Sequence, residues 1–398
     1  MALTFRTARE ADLDRLLDVH ASAFPDPRGR DARVRNFTGN PLGRFEDLWV
    51  ASEGAALLGH AFLFPLEAWF GGVRVRVGGI ASIGVAPEAR GRGVGSAMLE
   101  HLCRAAAARG DAVAVLYAFR QGFYGRAGFA TTSSYRRLRL HPASIAPRAR
   151  PELRARAATG ADRGALEACW EHVAKRRTGS LVRGERVWEH RLANERRVWL
   201  VVEGAHGVEG YVAWSLVQSE PHAQTTLVVE EIAARTDAAE RSLWAVLGAQ
   251  RDQVSEVRVD VASDDPIDRA LVDADAGRFG DAQVEHVLGE VAAGPMVSML
   301  AVEAGLSARG WAAEGSLALE VQGQRYRLNV KDGRAAVEPA RDEPDLTLDR
   351  RALSAIAYGA LGAGDAARLG MLAARDAGAL ARADALFRLP PYFSPDPF

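Results

Sequence analysis

The spacing of apolar residues changes along this chain, and each change predicts an element. Ile80-Ala81-Ser82-Ile83-Gly84-Val85 predicts a strand. From Val94 onward Val94, Met98, Leu102 and Ala105 fall on one helical stripe. Ala112-Val113-Ala114-Val115-Leu116-Tyr117 predicts the next buried strand. Arg6-Thr7-Ala8-Arg9-Glu10-Ala11-Asp12 and Arg156-Ala157-Ala158-Thr159-Gly160-Ala161-Asp162 each read as a strand end running into a capped helix, an internal echo that suggests a structural repeat. In the last hundred or so residues the pattern predicts an apolar helix from Pro295 to Leu306 and strands over Leu317–Val321 and Tyr326–Val330. A hairpin turn follows at Lys331-Asp332-Gly333-Arg334, then a short strand at Leu346–Asp349 and helices over Arg351–Leu361 and Ala366–Phe387. His141 to Pro151 holds three prolines and little periodicity, and reads as a linker.

Between the strand ending at Val85 and the helix beginning at Val94 lies Arg90-Gly91-Arg92-Gly93-Val94-Gly95, of the form Arg-x-x-Gly-x-Gly. A helix start offers unpaired N–H groups and a positive dipole end, which suits phosphate. Glycine at 91, 93 and 95 keeps side chains out of the approach, and Arg90 and Arg92 add charge at the rim. Such a turn also serves simply to join a strand to a helix. The first glycine of a dinucleotide fingerprint is missing and the strand is not the first of its domain, which excludes a nicotinamide site.

This strand, turn and helix resemble the acetyl-CoA site of the GNAT acyltransferases. Gly122-Phe123-Tyr124-Gly125-Arg126-Ala127-Gly128-Phe129 matches the region where many of these enzymes place a tyrosine near the cofactor sulfur. Sliding Ile83 onto Ile232 in the later copy puts Ala239 at the Arg90 position, Glu240 at Gly91, Ser242 at Gly93 and Trp244 at Gly95. A carboxylate and an indole there oppose a diphosphate, so the second copy is expected to hold no cofactor and to act as scaffold or pocket wall. The order of elements after Pro295 resembles the sterol carrier protein fold.

Composition narrows the function classes. The 50 basic and 51 acidic residues leave a net charge of −1, without the basic excess of a nucleic-acid binder. Lys175 and Lys331 are the only lysines. The two cysteines, Cys103 and Cys169, fit no metal spacing, so no metal is expected and a reducing cytoplasm is the simplest setting. The first residues lack a signal-peptide layout, and no apolar run approaches the ~20 residues of a membrane helix.

The chain ends in Leu389-Pro390-Pro391-Tyr392-Phe393-Ser394-Pro395-Asp396-Pro397-Phe398, aromatic and rich in proline where ends are normally polar and frayed. It suits docking in a groove, or packing on its own domain. Taken together, these features resemble the Eis (enhanced intracellular survival) family of acetyltransferases over essentially the full length. The resemblance implies a mixed α/β (α+β) chain with an active GNAT domain (1–145), a degenerate one (146–288) and a sterol-carrier-like domain with a catalytic tail (289–398). It also implies acetyl-CoA as co-substrate, Tyr124 as general acid and the Phe398 carboxylate as general base. Cofactor contacts are expected from Ile83, Gly84 and Val85, from Arg90 through Ser96, and from Phe119 and Arg120. On this reading the Val85 N–H polarises the thioester, with Gly84 permitting the bulge that frees it.

The acceptor implied is a primary amine on an aminoglycoside, a polyamine or a lysine side chain. Phe24, Phe37 and Trp49 are candidate walls, and Asp26 and Asp396 candidate attractors, though each is also an ordinary surface acid. His20 and His60 read as lone structural histidines. The family also implies a homo-oligomer, a hexamer, while charge balance and hydropathy point to no nucleic-acid or membrane partner. Phe119-Arg120-Gln121 stands where the best-known members carry small and acidic residues, and Pro397 replaces a penultimate acid. Two other readings stay open: a lipid or sterol carrier with a vestigial GNAT part, and an acetyl-CoA-binding sensor without turnover.

Overall fold

The computed structural model of the chain describes residues 3–145, 151–218, 220, 224–272 and 287–398. The first repeat comprises β1 (Thr4–Thr7), α1 (Leu13–Ala23), α2 (Gly29–Thr38), β2 (Leu48–Glu53), β3 (Ala56–Phe70), β4 (Val73–Val85), α3 (Val94–Arg109), β5 (Val113–Leu116), α4 (Gln121–Gly125) and β6 (Ala130–Thr131). Next come β7 (Tyr135–Leu140), β8 (Arg154–Ala157), α5 (Arg163–Ala174), α6 (Glu185–Leu192), β9 (Arg197–Gly204), β10 (Gly207–Gln218), β11 (Thr225–Ala234), α7 (Asp237–Gly248), β12 (Glu256–Ala262), β13 (Gly289–Ala292) and β14 (Met296–Met299). The last third contains α8 (Val302–Ala308), β15 (Gly315–Val321), β16 (Gln324–Lys331), β17 (Arg334–Pro339), β18 (Leu346–Leu348), α9 (Arg350–Ala357), α10 (Ala363–Arg368), β19 (Leu372–Ala374) and α11 (Ala377–Phe387).

The described residues form two seven-stranded sheets, ordered β1-β2-β3-β4-β5-β14-β6 and β13-β7-β12-β11-β10-β9-β8, and a five-stranded sheet β17-β16-β15-β18-β19. The echo at the start of each repeat is structural. Arg6 forks onto Asp12 at 2.6 and 2.9 Å, and Arg156 onto Asp162 at 2.7 and 2.7 Å. In both copies the same aspartate accepts the N–H three residues before it at 2.7 Å, fixing the entry into the first helix.

The two large sheets exchange strands. β7, which follows the first repeat in sequence, pairs with β12 of the second sheet, while β14, which follows the second repeat, lies between β5 and β6 of the first. Here the structure corrects the helix expected from Pro295 to Leu306. Met296–Met299 is a strand buried on both faces, and the helix begins only at Val302. A short continuous apolar run suits either a helix or a central strand. The pairing partner decided, and it is distant in sequence. The helix expected over Ala366–Phe387 is likewise broken: Gly370 adopts φ +72° and ends α10, and Leu372–Ala374 pairs with β18 before α11. The Asp332-Gly333 turn has positive φ at both residues, 50° and 72°, the geometry of a two-residue hairpin. Part of the expected linker, 146–150, lies outside the described residues.

One continuous core runs from the first repeat into the last third, joining Leu63, Val77 and Val115 to Leu317, Leu353 and Phe387. The rib Thr178–Val182 connects all three parts. It bonds β3 through Trp69 N to Ser180 O at 2.9 Å, and the tail through Phe393 N to Thr178 O at 2.9 Å. A chain ending at Leu140 lacks β14 and leaves the buried strand Val113–Leu116 as an open edge. Such a fragment should aggregate on expression; a monodisperse folded species by size-exclusion chromatography would show the exchanged strand to be dispensable.

Candidate active site

β4 and β5 run parallel and pair only at Val77↔Val113, Gly78↔Ala114 and Gly79↔Val115. Beyond Gly79 the strands part, leaving an open notch between Ile80–Val85 and Leu116. β4 also bulges against β3. His60 faces Gly84 and Phe62 faces Ala81, so Ser82 and Ile83 together oppose Ala61 alone. Ser82 carries the distortion, with φ +52°. This corrects the bulge role assigned to Gly84. A side chain at Gly84 would meet His60 Nε2 at 2.6 Å, so glycine there is required by close approach of a ring. Ala86 N–H bonds Leu58 O at 2.8 Å on the β3 side. Successive strand N–H groups point to opposite edges, which turns the Val85 N–H toward the notch.

The chain then makes a single turn at Pro87–Ala89 and reaches α3 through two left-handed glycines, Gly91 at φ +78° and Gly93 at φ +80°. An added Cβ meets nothing within 4 Å at either position, so backbone conformation sets the residue type and the surface above is open. At Gly95 an added Cβ would have ordinary contacts of 3.6 and 3.7 Å to Val85 and Phe123. The helix ladder begins with Ala97 N–H to Gly93 O at 3.0 Å, which leaves the N–H groups of Val94, Gly95 and Ser96 in the unpaired first turn. Ser96 is exposed and Ile83 half-buried. The two arginines at this rim are not free charges. Arg90 ties Val85 O at 3.2 Å to Ser22 O at 2.8 Å, and Arg92 pairs with Glu53 at 2.7 Å.

α4 follows the end of β5 closely. Tyr124 is 4% exposed, its ring edge-on to Phe119, Phe123 and Phe129 at 5.8, 4.9 and 6.3 Å, and burial raises its hydroxyl pKa to about 12. Phe119 is 72% exposed and Arg120 precedes α4 on the surface. The chain end reaches the point where the strands part. An added Cβ at Gly79 would lie 3.2 Å from the Phe398 ring, and that ring stands edge-on to Tyr117 at 5.3 Å. Tyr117 Oη also donates to Asp396 O at 3.4 Å. Tyr117 directly follows β5, and its contact with the tail needs the fold.

The acceptor-side candidates are more scattered. Asp26 is forked by Arg28, which lowers its carboxyl to about 2. Phe24 stacks on His20 at 4.8 Å, whereas Phe37 is fully buried behind it, and Trp49 tilts against His101. Asp396 is 6% exposed and ion-paired, which corrects its reading as an attractor of cationic amines. His20 and His60 are not isolated from each other: their rings lie 5.2 Å apart with Phe37 against both. Burial lowers His20 to about 4 and His60 to about 3. A cleft of about 1180 Å³ opens beside Phe398 and Tyr117 and extends along the second sheet past Trp244, Glu230 and Arg137.

The later copy differs from its expected alignment. β11 ends at Ala234 and α7 starts at Asp237, so only Arg235 and Thr236 stand where the first copy has Ala86 to Gly93. Ala239, Glu240, Ser242 and Trp244 lie inside the helix, not in a turn. The phosphate loop is missing altogether, and Thr236 caps the helix by accepting Ala239 N–H at 3.2 Å.

A sheet with a parted strand pair, a glycine turn into a helix and a second sheet of the same plan define a tandem GNAT-fold acyltransferase with a sterol-carrier domain. Comparison with known proteins agrees. The acetyltransferase (GNAT) domain profile matches residues 4–132, a second GNAT profile matches 179–288, and the sterol carrier protein domain profile matches 302–394. The chain is 28% identical over 414 residues to N-acetyltransferase Eis of Mycobacterium bovis, covering 97% of each. It is 32% identical over 355 residues to an uncharacterized N-acetyltransferase of Streptomyces avermitilis, covering 82% of each. Crystal structures of a GCN5-related N-acetyltransferase from Anabaena variabilis (TM-score 0.86, 20% identity) and of Eis1 from Mycobacterium abscessus (TM-score 0.79, 23% identity) share the fold over 100% of each chain. The chain belongs to the Eis family of GNAT acetyltransferases, enzymes whose acyl donor is acetyl-CoA.

Asp tolerates left-handed backbone better than most residues, and its Cβ meets nothing at position 91. Gly91→Asp should therefore fold normally while raising the acetyl-CoA KM at least roughly tenfold through repulsion of the diphosphate; an unchanged KM in steady-state kinetics would place the diphosphate elsewhere. Stability should also respond to acid through the histidine pair. Their folded pKa values lie below the ordinary 6.5, so the unfolded chain binds protons first as pH falls. The stabilisation present above pH 6.5 is lost toward pH 4 and 3, with a limiting slope of about 1.4 kcal/mol per pH unit for each ring. In thermal melts between pH 7 and 4.5, His60→Leu should flatten this dependence relative to the unaltered protein.

Proposed function

We propose that this chain transfers the acetyl group of acetyl-CoA to a primary amine, with Tyr124 as general acid and the Phe398 α-carboxylate as general base. The observation that carries the reading is the position of the last residue, packed on Gly79 where β4 and β5 separate. The diphosphate lies over Gly91, Gly93 and the unpaired N–H groups of Val94, Gly95 and Ser96, while Ile83, Gly84 and Val85 line the thioester arm. Arg90 and Arg92 brace the loop through their present partners. Phe119 and Arg120 border the arm on the β5 side.

A lysine-like amine has a pKa near ~10.4 and attacks only after losing a proton. In this reading the Phe398 carboxylate accepts that proton, directly or through water, and the nitrogen adds to the thioester carbonyl polarised by the Val85 N–H. The C–S bond then breaks and the sulfur takes the Tyr124 proton. Burial keeps that hydroxyl protonated at neutral pH, the state an acid needs. The acceptor enters through the cleft beside Phe398, whose volume exceeds that needed for a single side chain and suits an aminoglycoside, a polyamine or a peptide lysine. Phe24 and Asp26 contribute from the α1–α2 loop, with Phe37 as backing.

The domain limits 1–145, 146–288 and 289–398 describe the order in sequence, with β7 and β14 exchanged between sheets. Among the described residues no helix is long and apolar enough to cross a membrane, and Cys103 and Cys169 are free thiols, which supports a reducing, cytoplasmic setting. Assembly into a homo-oligomer, a hexamer, rests on the family resemblance alone.

Thiol release measured with acetyl-CoA and a panel of amines tests the reading. Tyr124→Phe should lower kcat by roughly 10²–10⁴-fold with little change in acetyl-CoA KM. One glycine appended after Phe398 should abolish turnover without altering the melting temperature. Full activity in either variant removes that residue from the reaction.

A further inference from the structure

We propose that a buried ionic clamp aims the catalytic chain end: Arg183 and Arg191, held by Glu231 of β11, grip Asp396 and so fix the carboxylate two residues beyond it. The inference rests on the reading of Phe398 as base. Arg183 forks onto Asp396 through Nε to Oδ2 at 2.9 Å and Nη2 to Oδ1 at 2.8 Å, and donates Nη1 to Glu231 Oε1 at 2.9 Å. Arg191 bridges the same two acids, at 3.2 Å to Asp396 and 3.0 Å to Glu231. Tyr211 Oη donates to Glu231 as well, and the Trp170 ring centroid lies 3.5 Å from the Arg183 guanidinium carbon. The Arg183 and Glu231 side chains are each 1% exposed, Asp396 6% and Arg191 11%.

Two cations and two anions thus balance one another in a largely buried cluster. An exposed ion pair contributes little, about 0–1 kcal/mol. Here, withdrawing Asp396 would leave two buried guanidiniums facing one carboxylate, and stranding a buried charge is strongly unfavourable. The tail is therefore held by an anion that has no comparable site in solvent. Two residues reach at most about 7 Å, so anchoring Asp396 confines the Phe398 carboxylate to a small volume beside the notch. Pro397, standing between them, fixes φ and narrows that volume further. Arg183, Arg191 and Asp396 are positioning residues: they act on the reaction through the carboxylate they aim.

The test uses the full chain and two variants, Asp396→Asn, which keeps the side-chain shape, and Arg183→Gln. Hydrogen–deuterium exchange of the peptide spanning 389–398 reads tail docking, and steady-state kinetics read its use. The expected result is faster exchange in that peptide, a fall in kcat of roughly 10²-fold and an acetyl-CoA KM within about twofold of the unaltered value. Unchanged exchange in both variants overturns the clamp. Faster exchange with undiminished kcat, while a glycine appended after Phe398 abolishes turnover, overturns it and leaves the base assignment standing. If the appended glycine is harmless, the base assignment falls and the proposal with it.

Discussion

β4 and β5 hold one another for three residue pairs and then separate. A parallel pair that stops early leaves backbone donors without a sheet partner, and buried donors must find acceptors. The bulge at Ser82 deepens the gap by turning β4 out of register with β3. Three further elements border this opening. The glycine turn and α4 meet there, with Gly95 between Val85 and Phe123, and the Phe398 ring packs on Gly79 where the strands part.

Bringing residue 398 to a strand near residue 79 is a topological problem, and the exchanged strands solve it. β14 enters the first sheet beside β5, so the last third starts out as part of the first repeat, and one core covers both. The tail then returns across the second repeat along Thr178–Val182. There Gly179, at φ +82°, leaves room for the Tyr392 ring, and any Cβ would lie 2.1 Å from it. Tyr392 N–H also bonds Ser133 Oγ at 3.0 Å. A tail with four prolines loses little freedom on following this path.

The parts legible in sequence were those fixed by local chemistry. The strand before Val85, the glycine turn, the α3 stripe, the Asp332-Gly333 hairpin and the paired Arg–Asp entries all declare themselves through residues within a few positions of one another. What sequence hid depends on partners far away. Met296–Met299 has a helix's hydrophobicity and a strand's neighbours. Ser82, a non-glycine at positive φ, carries no compositional mark of its bulge. Asp396 reads as a surface acid until Arg183 and Arg191 are seen around it. His20 and His60, separated by 40 positions, show no pattern that would pair them.

The second repeat shows how a duplicated site changes use. It has lost the segment between strand and helix, yet β11 keeps the bulge of β4: Ala213 faces Glu231 and Trp214 faces Val229, with Glu230 extra. In the first repeat the bulge lies beside the N–H groups that face the notch. In the second, the same irregularity places Glu231 inward among Arg183, Arg191 and Tyr211, while Glu230 binds Arg197. A carboxylate at that position suits a site that binds guanidinium and is adverse to one that binds diphosphate. Loss of the loop and gain of the acid therefore point the same way: the second copy holds the tail, and the tail's last ring packs on the first copy at Gly79.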